Sequence, residues 1–287
     1  MLSRQLLYGF ISLLVWQLVP GLVSAQSYSG DSWSTVKQQG SGTLAVSYYE
    51  VPGIIYQEAT GNMAGLCVDI LDDFAVWLQQ EHGVEVSIDY QGGANAFGAF
   101  MNNTLTGENV VGVSAVSITE ERKKSMKFTP YYLQNMLVLV SNSSATVTSS
   151  WDNLETVLTG KTALVLKGST NEGYMRHIKN MHYPDMNIEF RDSEKEIVED
   201  LTTSPDYFSI LEFTTFYHVV KERLPIKRHN VDLMEYFDEE LGFLLSNDSD
   251  WGPIWNQFLN DSYRKSEDYA QSIITHLGAP FLKMASK

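Results

Sequence analysis

Short runs with apolar residues at every second position recur along this chain, separated by segments with apolar residues three and four apart, and this alternation of periods limits the fold. Leu44, Val46 and Tyr48 form the first such run, closed by Pro52, and Val84, Val86 and Ile88 form the second. Further short apolar runs lie at 111–116, 136–140, 162–166, 188–190 and 207–212. Between them Ile70, Leu71, Phe74, Trp77 and Leu78 fall on one helical face, as do Ile197, Val198 and Leu201. Residues 251–259 and 263–277 read as two further amphipathic helices. Strands alternating with helices, without internal repeats, predict α/β architecture.

Residues 1–25 have the layout of a secretory signal: Arg4, an apolar run from Leu6 to Val19, and a small-residue cleavage site at Val23-Ser24-Ala25. No cysteine follows that run to carry a lipid, and no later segment is apolar enough to span a membrane. The expected mature chain is exported, soluble and about 260 residues long, enough for one large domain or two lobes. Its first part, 26–41, is polar and Gly/Ser-rich, a leader or a loose first helix. Cys67 is the only cysteine, so stability has to come from packing and not from an internal disulfide. The formal charge of −15, or −16 once Arg4 is removed, has the wrong sign for nucleic acid or an anionic membrane surface. An anionic ligand group therefore needs a local basic pocket. No His, Cys or carboxylate cluster has metal-ligand spacing, no nucleotide loop of the GxxxxGK(S/T) kind occurs, and no cofactor is expected.

Three stretches carry candidate chemistry. In GVSAVSITEERKKSMKFTPYY, residues 112–132, a short apolar strand ends at hydroxyls, Ser117 and Thr119, and Thr119 is placed to cap a helical turn begun by Glu120 and Glu121. The free N–H groups of that turn and the planar fork of Arg122 together suit a carboxylate. At 162–172 a buried strand, the loop Lys167-Gly168-Ser169-Thr170-Asn171-Glu172 and a helix carrying Tyr174, Ile178 and Met181 again offer N–H groups to an anion, although an ordinary N-cap has the same composition. At 207–212 a strand ends in Glu212, which can be a cation partner or a helix-cap residue. Tyr48, Tyr49 and Tyr56 either line a cleft or pack in the core, and Asp69 is placed to cap the helix that follows it.

These stretches are similar to motifs of the bacterial family 3 extracellular solute-binding proteins, which capture polar amino acids. Ser117 to Arg122 followed by Phe128-Thr129-Pro130-Tyr131-Tyr132 resembles SxSITxxR...F(S/T)xPY, and Leu66 to Leu71 resembles GFDVDL. Residues 162–172 resemble a strand followed by xGTTxE, and 207–212 resemble (V)DAxxxD with Tyr207 for the first Asp and Glu212 for the last. The likeness runs from Gly42 to Leu277. It implies two Rossmann-like lobes joined by two crossover strands, the type II periplasmic binding protein fold, with lobe 1 at 42–134 plus 241–287 and lobe 2 at 135–240. It further implies that Arg122, assisted by Ser117, clamps a ligand α-carboxylate. Thr170 is a second carboxylate contact with Asn171 beside it, Glu212 meets the ammonium, and Ser114, Tyr48 and Tyr49 complete the ligand-binding set. The function implied is that of a monomeric periplasmic protein capturing an amino acid or similar small carboxylate, for ABC transporter membrane subunits or a membrane sensor, and not that of an enzyme. An alternative stays open, because cyclohexadienyl dehydratases resemble the same fold and carry a GGTNE loop close to 168–172. The further acid those enzymes hold is replaced here by Thr215 and Phe216.

Overall fold

A computed structural model describes residues 28–279, 281 and 282; the expected signal segment lies outside them. Ten strands form two mixed five-stranded sheets. The first holds β1 (Ser41–Tyr48), β2 (Glu85–Gly93), β3 (Val110–Val113), β4 (Lys127–Gln134) and, from much later in the chain, β10 (Glu240–Leu245). The second holds β5 (Leu137–Asn142), β6 (Thr162–Leu166), β7 (Asn187–Arg191), β8 (Tyr207–Glu212) and β9 (Ile226–Arg228). Their spatial orders are β2-β1-β3-β10-β4 and β9-β5-β8-β6-β7. In each sheet three strands run parallel and the returning strands pair antiparallel. This is the α/β fold of two lobes joined by two crossovers that the alternating periods and the family likeness predict.

Each crossover is short. Asn135 and Met136 carry the chain from β4 to β5, and the return ends at Glu239, just before β10. The two passages touch, since the Asn135 backbone N–H donates to the Glu239 carbonyl at 2.8 Å. Side chains on both crossovers therefore sit at the junction of the two lobes.

The first lobe is built around aromatic rings. The helix Leu66–His82 presents Phe74 to Trp255 of the helix Gly252–Phe258, with ring centroids 3.8 Å apart and planes 20° apart, and both side chains are fully buried. In the second lobe the alternation of its strands shows directly. Leu139 and Phe208 face one helical layer with Met175 and Ile178, whereas Val140 and Leu211 face the other with Ile197 and Leu201.

One local reading needs correction. Asp69 does not cap its helix; it lies in the first turn and accepts from His276 at 3.0 Å, while Gly65 occupies the cap position at φ 122°. A Cβ at Gly65 would meet the Ile54 carbonyl oxygen at 2.5 Å, so only glycine fits this close passage. The polar stretch ahead of β1 carries a helix, Trp33–Gln39, capped by Ser32, and the carboxylate of Asp250 accepts from the backbone N–H groups of Trp33 and Ser34 at 2.6 and 3.0 Å.

The Phe74–Trp255 pair yields the first prediction. Trp255→Ala removes the largest ring of a fully buried stack and is expected to destabilise the protein by about 3–5 kcal/mol. Urea unfolding followed by circular dichroism would show the midpoint falling; an unchanged midpoint would mean that this stack is not the centre of the first lobe.

Candidate functional site between the lobes

The turn after β3 is ordered by its own hydroxyls. Thr119 caps the short helix Glu120–Lys123 by accepting from the Arg122 N–H at 3.1 Å, as the sequence predicts. Ser114 Oγ donates to the Tyr49 carbonyl at 2.9 Å, and Tyr132 donates back to the Ser114 carbonyl at 3.0 Å. Arg122 is thereby folded over the turn: Nη1 donates to the Ser117 carbonyl at 3.0 Å and Nη2 reaches Gly168 of the opposite lobe at 3.2 Å. Its guanidinium stands 5.9 Å from the Phe97 ring centroid. Burial lowers its pKa, with nearby Glu239 working the other way, and an arginine so placed remains a cation.

The hydroxyls assigned by resemblance to a ligand carboxylate meet a carboxylate of the protein itself. Glu239, only 2% exposed, accepts through Oε1 from Ser117 Oγ at 2.7 Å, Thr170 Oγ1 at 2.6 Å and the Tyr174 hydroxyl at 2.9 Å. Its Oε2 accepts from Asn135 Nδ2 at 2.6 Å. Ser117 belongs to the first lobe and Thr170 to the second, so this carboxylate bridges them from the crossover. Neither Glu239 nor Asn135 falls in a recognisable motif; their only sequence signal is a neighbouring apolar strand, which ends just before Asn135 and begins just after Glu239.

Glu212 ends β8 and shares the amide of Asn135 with Glu239. Burial, then the charges of Glu239 and Glu194, push its carboxyl well above the usual carboxylate range, and the Asn135 hydrogen bond only partly offsets this. Glu194, which in the sequence is merely the residue after a capping serine, is a third acid facing the cleft. Ser193 caps its helix, Glu194–Thr203, and the Glu194 N–H donates across the lobes to the Tyr49 hydroxyl at 3.0 Å. Its side chain accepts from Thr215 Oγ1 at 3.0 Å, and burial pushes its pKa up to about 7 against that hydrogen bond. Tyr49 is pushed up to about 12, chiefly by burial.

A cavity of about 30 Å³ lies among these groups. Tyr49, Ser114, Ser117, Arg122, Thr170, Asn171 and Glu212 line it, together with Glu194 and Phe97, which the sequence does not single out. Tyr48 stands outside. It packs beside Gly93 and lines a wider outer groove of about 710 Å³, which adjoins the cavity at Tyr49 and Glu194. Space of about 30 Å³ admits one water-sized molecule, so any larger occupant requires the lobes to part. Among the described residues no group of three or more His, Cys, Asp or Glu is arranged to hold a metal ion, and no helix is long and apolar enough to cross a membrane.

Two lobes on separate sheets, a double crossover and a cleft lined from both sides define a cleft-binding protein of the type II periplasmic class. The family model of the bacterial extracellular solute-binding proteins, family 3, matches residues 44–266, and the chain belongs to that family. Solved structures share the fold at low identity. An ancestral arginine-binding protein bound to arginine superposes with a TM-score of 0.65 at 20% identity, covering 82% of this chain and 98% of that one. A substrate-binding protein of an ABC uptake transporter from Streptococcus pneumoniae, with bound histidine, gives 0.67 at 17% identity over 89% and 98%. An ancestral amino acid-binding protein described as a precursor of cyclohexadienyl dehydratase gives 0.63 at 19% identity over 85% and 98%. No curated protein sequence matches the chain.

The raised carboxyls set the pH dependence of stability. Glu194 titrates at about 7 when folded against an ordinary 4.5, so the folded chain holds the extra proton between those values and loses stability as pH rises through them. The difference is on the order of 3 kcal/mol, complete above the folded value. We expect the melting temperature of the unliganded protein to fall from about pH 5 to about pH 8, and Glu194→Gln to flatten the fall and raise stability at the upper end. An equally steep fall in the variant would mean that another group is titrating.

Proposed function

We propose that the protein is a periplasmic amino-acid-binding protein that encloses its ligand by closing the two lobes, and that it serves ABC transporter membrane subunits. The observation that carries this reading is the pairing of opposite charges around one cavity: Arg122 reaches into it from the first lobe and Glu212 from the end of β8 in the second. An α-carboxylate meets the unused donors of the guanidinium and an α-ammonium meets Glu212, so an amino-acid backbone satisfies both sides at once. The arginine and histidine held by structures of the same fold support the same class of ligand. The name of the histidine-bound protein, a component of an uptake transporter, supports the proposed partner.

Ligand entry follows from the bonds already described. In the closed arrangement Ser117 and Thr170 donate to Glu239, and Arg122 holds Gly168, so opening breaks a small set of polar contacts and exposes them to water. A ligand that replaces the contacts between the lobes with stronger, charged ones stabilises closure by mass action.

Arg122→Ala should leave the fold intact, because the residue sits on a turn, yet cost about 2–5 kcal/mol of binding free energy by leaving the ligand carboxylate unpaired. A thermal-shift screen of free amino acids, followed by calorimetry on wild type and variant, tests this. Equal affinity in the two proteins would remove Arg122 from the site, and a shift produced only by compounds lacking an ammonium would overturn the amino-acid reading.

One feature favours a second reading. A buried carboxyl with a raised pKa, as burial and its acidic neighbours give Glu212, also suits a general acid, and an ancestral binding protein described as a precursor of a dehydratase shares the fold. The amide of Asn135 fixes Glu212 within the hinge. On the binding reading, prephenate and arogenate are not consumed when incubated with the purified protein and followed by product absorbance; turnover that disappears in Glu212→Gln would establish the enzyme instead.

A further inference from the structure

The hydroxyls around the cavity have nearly all committed their protons elsewhere. Ser114 Oγ donates to the Tyr49 carbonyl at 2.9 Å and Ser169 Oγ to the Leu166 carbonyl at 2.7 Å. Ser117 Oγ and Thr170 Oγ1 both donate to Glu239, at 2.7 and 2.6 Å. A hydroxyl has one proton and two lone pairs, so each of these four can only accept a hydrogen bond from anything in the cavity. Asn171 adds an acceptor: it is 7% exposed, lines the cavity, and its Oδ1 has no hydrogen-bond partner among the described residues. Glu194 and Glu212 supply carboxylates. The side-chain donors that remain are the Arg122 fork, the Asn171 amide and the Tyr49 hydroxyl. Such a lining matches a ligand richer in N–H groups than in oxygen atoms.

Charge leads the same way. Among the described residues Arg122 is the only cationic side chain lining the cavity, against two carboxylates in the lining and a third, Glu239, directly behind the hydroxyls. A neutral amino acid brings one positive and one negative group and leaves that imbalance untouched. Glu194 is near enough to Glu212 for its charge to be felt there, but it stands at the start of the helix Glu194–Thr203 beside Tyr49, where the cavity adjoins the outer groove. The Thr215 bond is the only hydrogen bond of its side chain among the described residues, and none of their basic groups pairs with it. A group extending from an α-carbon held between Arg122 and Glu212 would pass this carboxylate on its way toward the groove.

We propose that the cleft selects amino acids with a second cationic group, as in arginine, lysine and ornithine, and that Glu194 is the residue that takes the side-chain cation. The proposal rests on the amino-acid reading above and narrows it to a class of substrate. Glu212 and Arg122 then hold the part common to every amino acid. Glu194, with the lone pairs of the cleft hydroxyls and Asn171 Oδ1, reads the part that differs.

Calorimetric titration of the mature protein with arginine, lysine, ornithine, glutamine and glutamate, and with cadaverine as a diamine lacking the carboxylate, tests the proposal. Basic amino acids should bind at least about tenfold more tightly than glutamine, with glutamate weakest and cadaverine weak or silent. In Glu194→Gln the affinity for lysine and arginine should fall at least about tenfold further than that for glutamine. Wild type that prefers glutamine or glutamate would overturn this inference while leaving the amino-acid reading standing. A preference for basic ligands that is unchanged in a folded Glu194→Gln would overturn it in the same way. Binding of cadaverine as tight as that of lysine, or of no amino acid at all, would overturn both. The wild-type panel decides the class of ligand even if the variant does not fold.

Discussion

The carboxylate of Glu239 is the contact on which the arrangement of the two lobes depends. It is taken out of water with no ion pair among the described residues, Arg122 acting on it only from a distance, and such a group is tolerated only when its lone pairs are filled. Two hydroxyls from opposite lobes, a tyrosine hydroxyl and the amide of the other crossover fill them. Because Glu239 immediately precedes β10, the first sheet, the second sheet and the hinge are joined through one side chain. Removing any one donor would leave a buried charge partly unsatisfied, which costs more than the bond itself contributes.

This node also fixes the character of the cleft. In a hydroxyl-lined pocket the direction of each O–H is normally adjustable, and the pocket can serve either a donor or an acceptor. Here Glu239 draws the protons of Ser117 and Thr170 away from the cavity, and main-chain carbonyls do the same for Ser114 and Ser169. The pocket is acceptor-rich before any ligand arrives. Burial raises the carboxyls of Glu194 and Glu212, and the charges of Glu239 and Glu194 raise Glu212 further, so the site is balanced between holding protons and holding a cation. That balance is where binding and acid catalysis meet on this fold, and the identity of the entering group decides between them.

Much of this is legible in the sequence, because local rules apply where the chain is local. The alternation of periods gives the α/β layers, Thr119 caps the turn its position predicts, and Arg122, Thr170 and Glu212 are brought to one cavity from three separate stretches. Those stretches are readable because each combines a strand end with a helix start, and that junction has its own composition. Asp69 fails as a cap because Gly65 makes a turn too close to Ile54 for a side chain, and no pattern in the sequence reports what the chain passes. Glu194 and Glu239 are invisible for a related reason. An acid after a capping serine and an acid before a strand are ordinary surface compositions, and only the approach of a distant lobe converts them into buried groups. Tyr48 and Tyr49 show the limit most plainly: Tyr48 ends β1 and Tyr49 follows it, both line the outer groove, and only Tyr49 reaches the cavity.

Cys67 is fully buried at the start of the helix Leu66–His82, and burial raises its thiol far above the range in which a thiolate forms near neutrality. To a thiol-directed reagent the folded protein therefore behaves as though it contained no cysteine. A single cysteine introduced at the rim of the outer groove, for instance in place of Lys195, would be the one reactive handle on the molecule. A fluorophore attached there would sit beside the seam at which Tyr49 of one lobe meets Glu194 of the other. The inertness of one core sulfur thus makes the native sequence, without prior removal of any residue, a ready frame for an optical reporter of lobe movement.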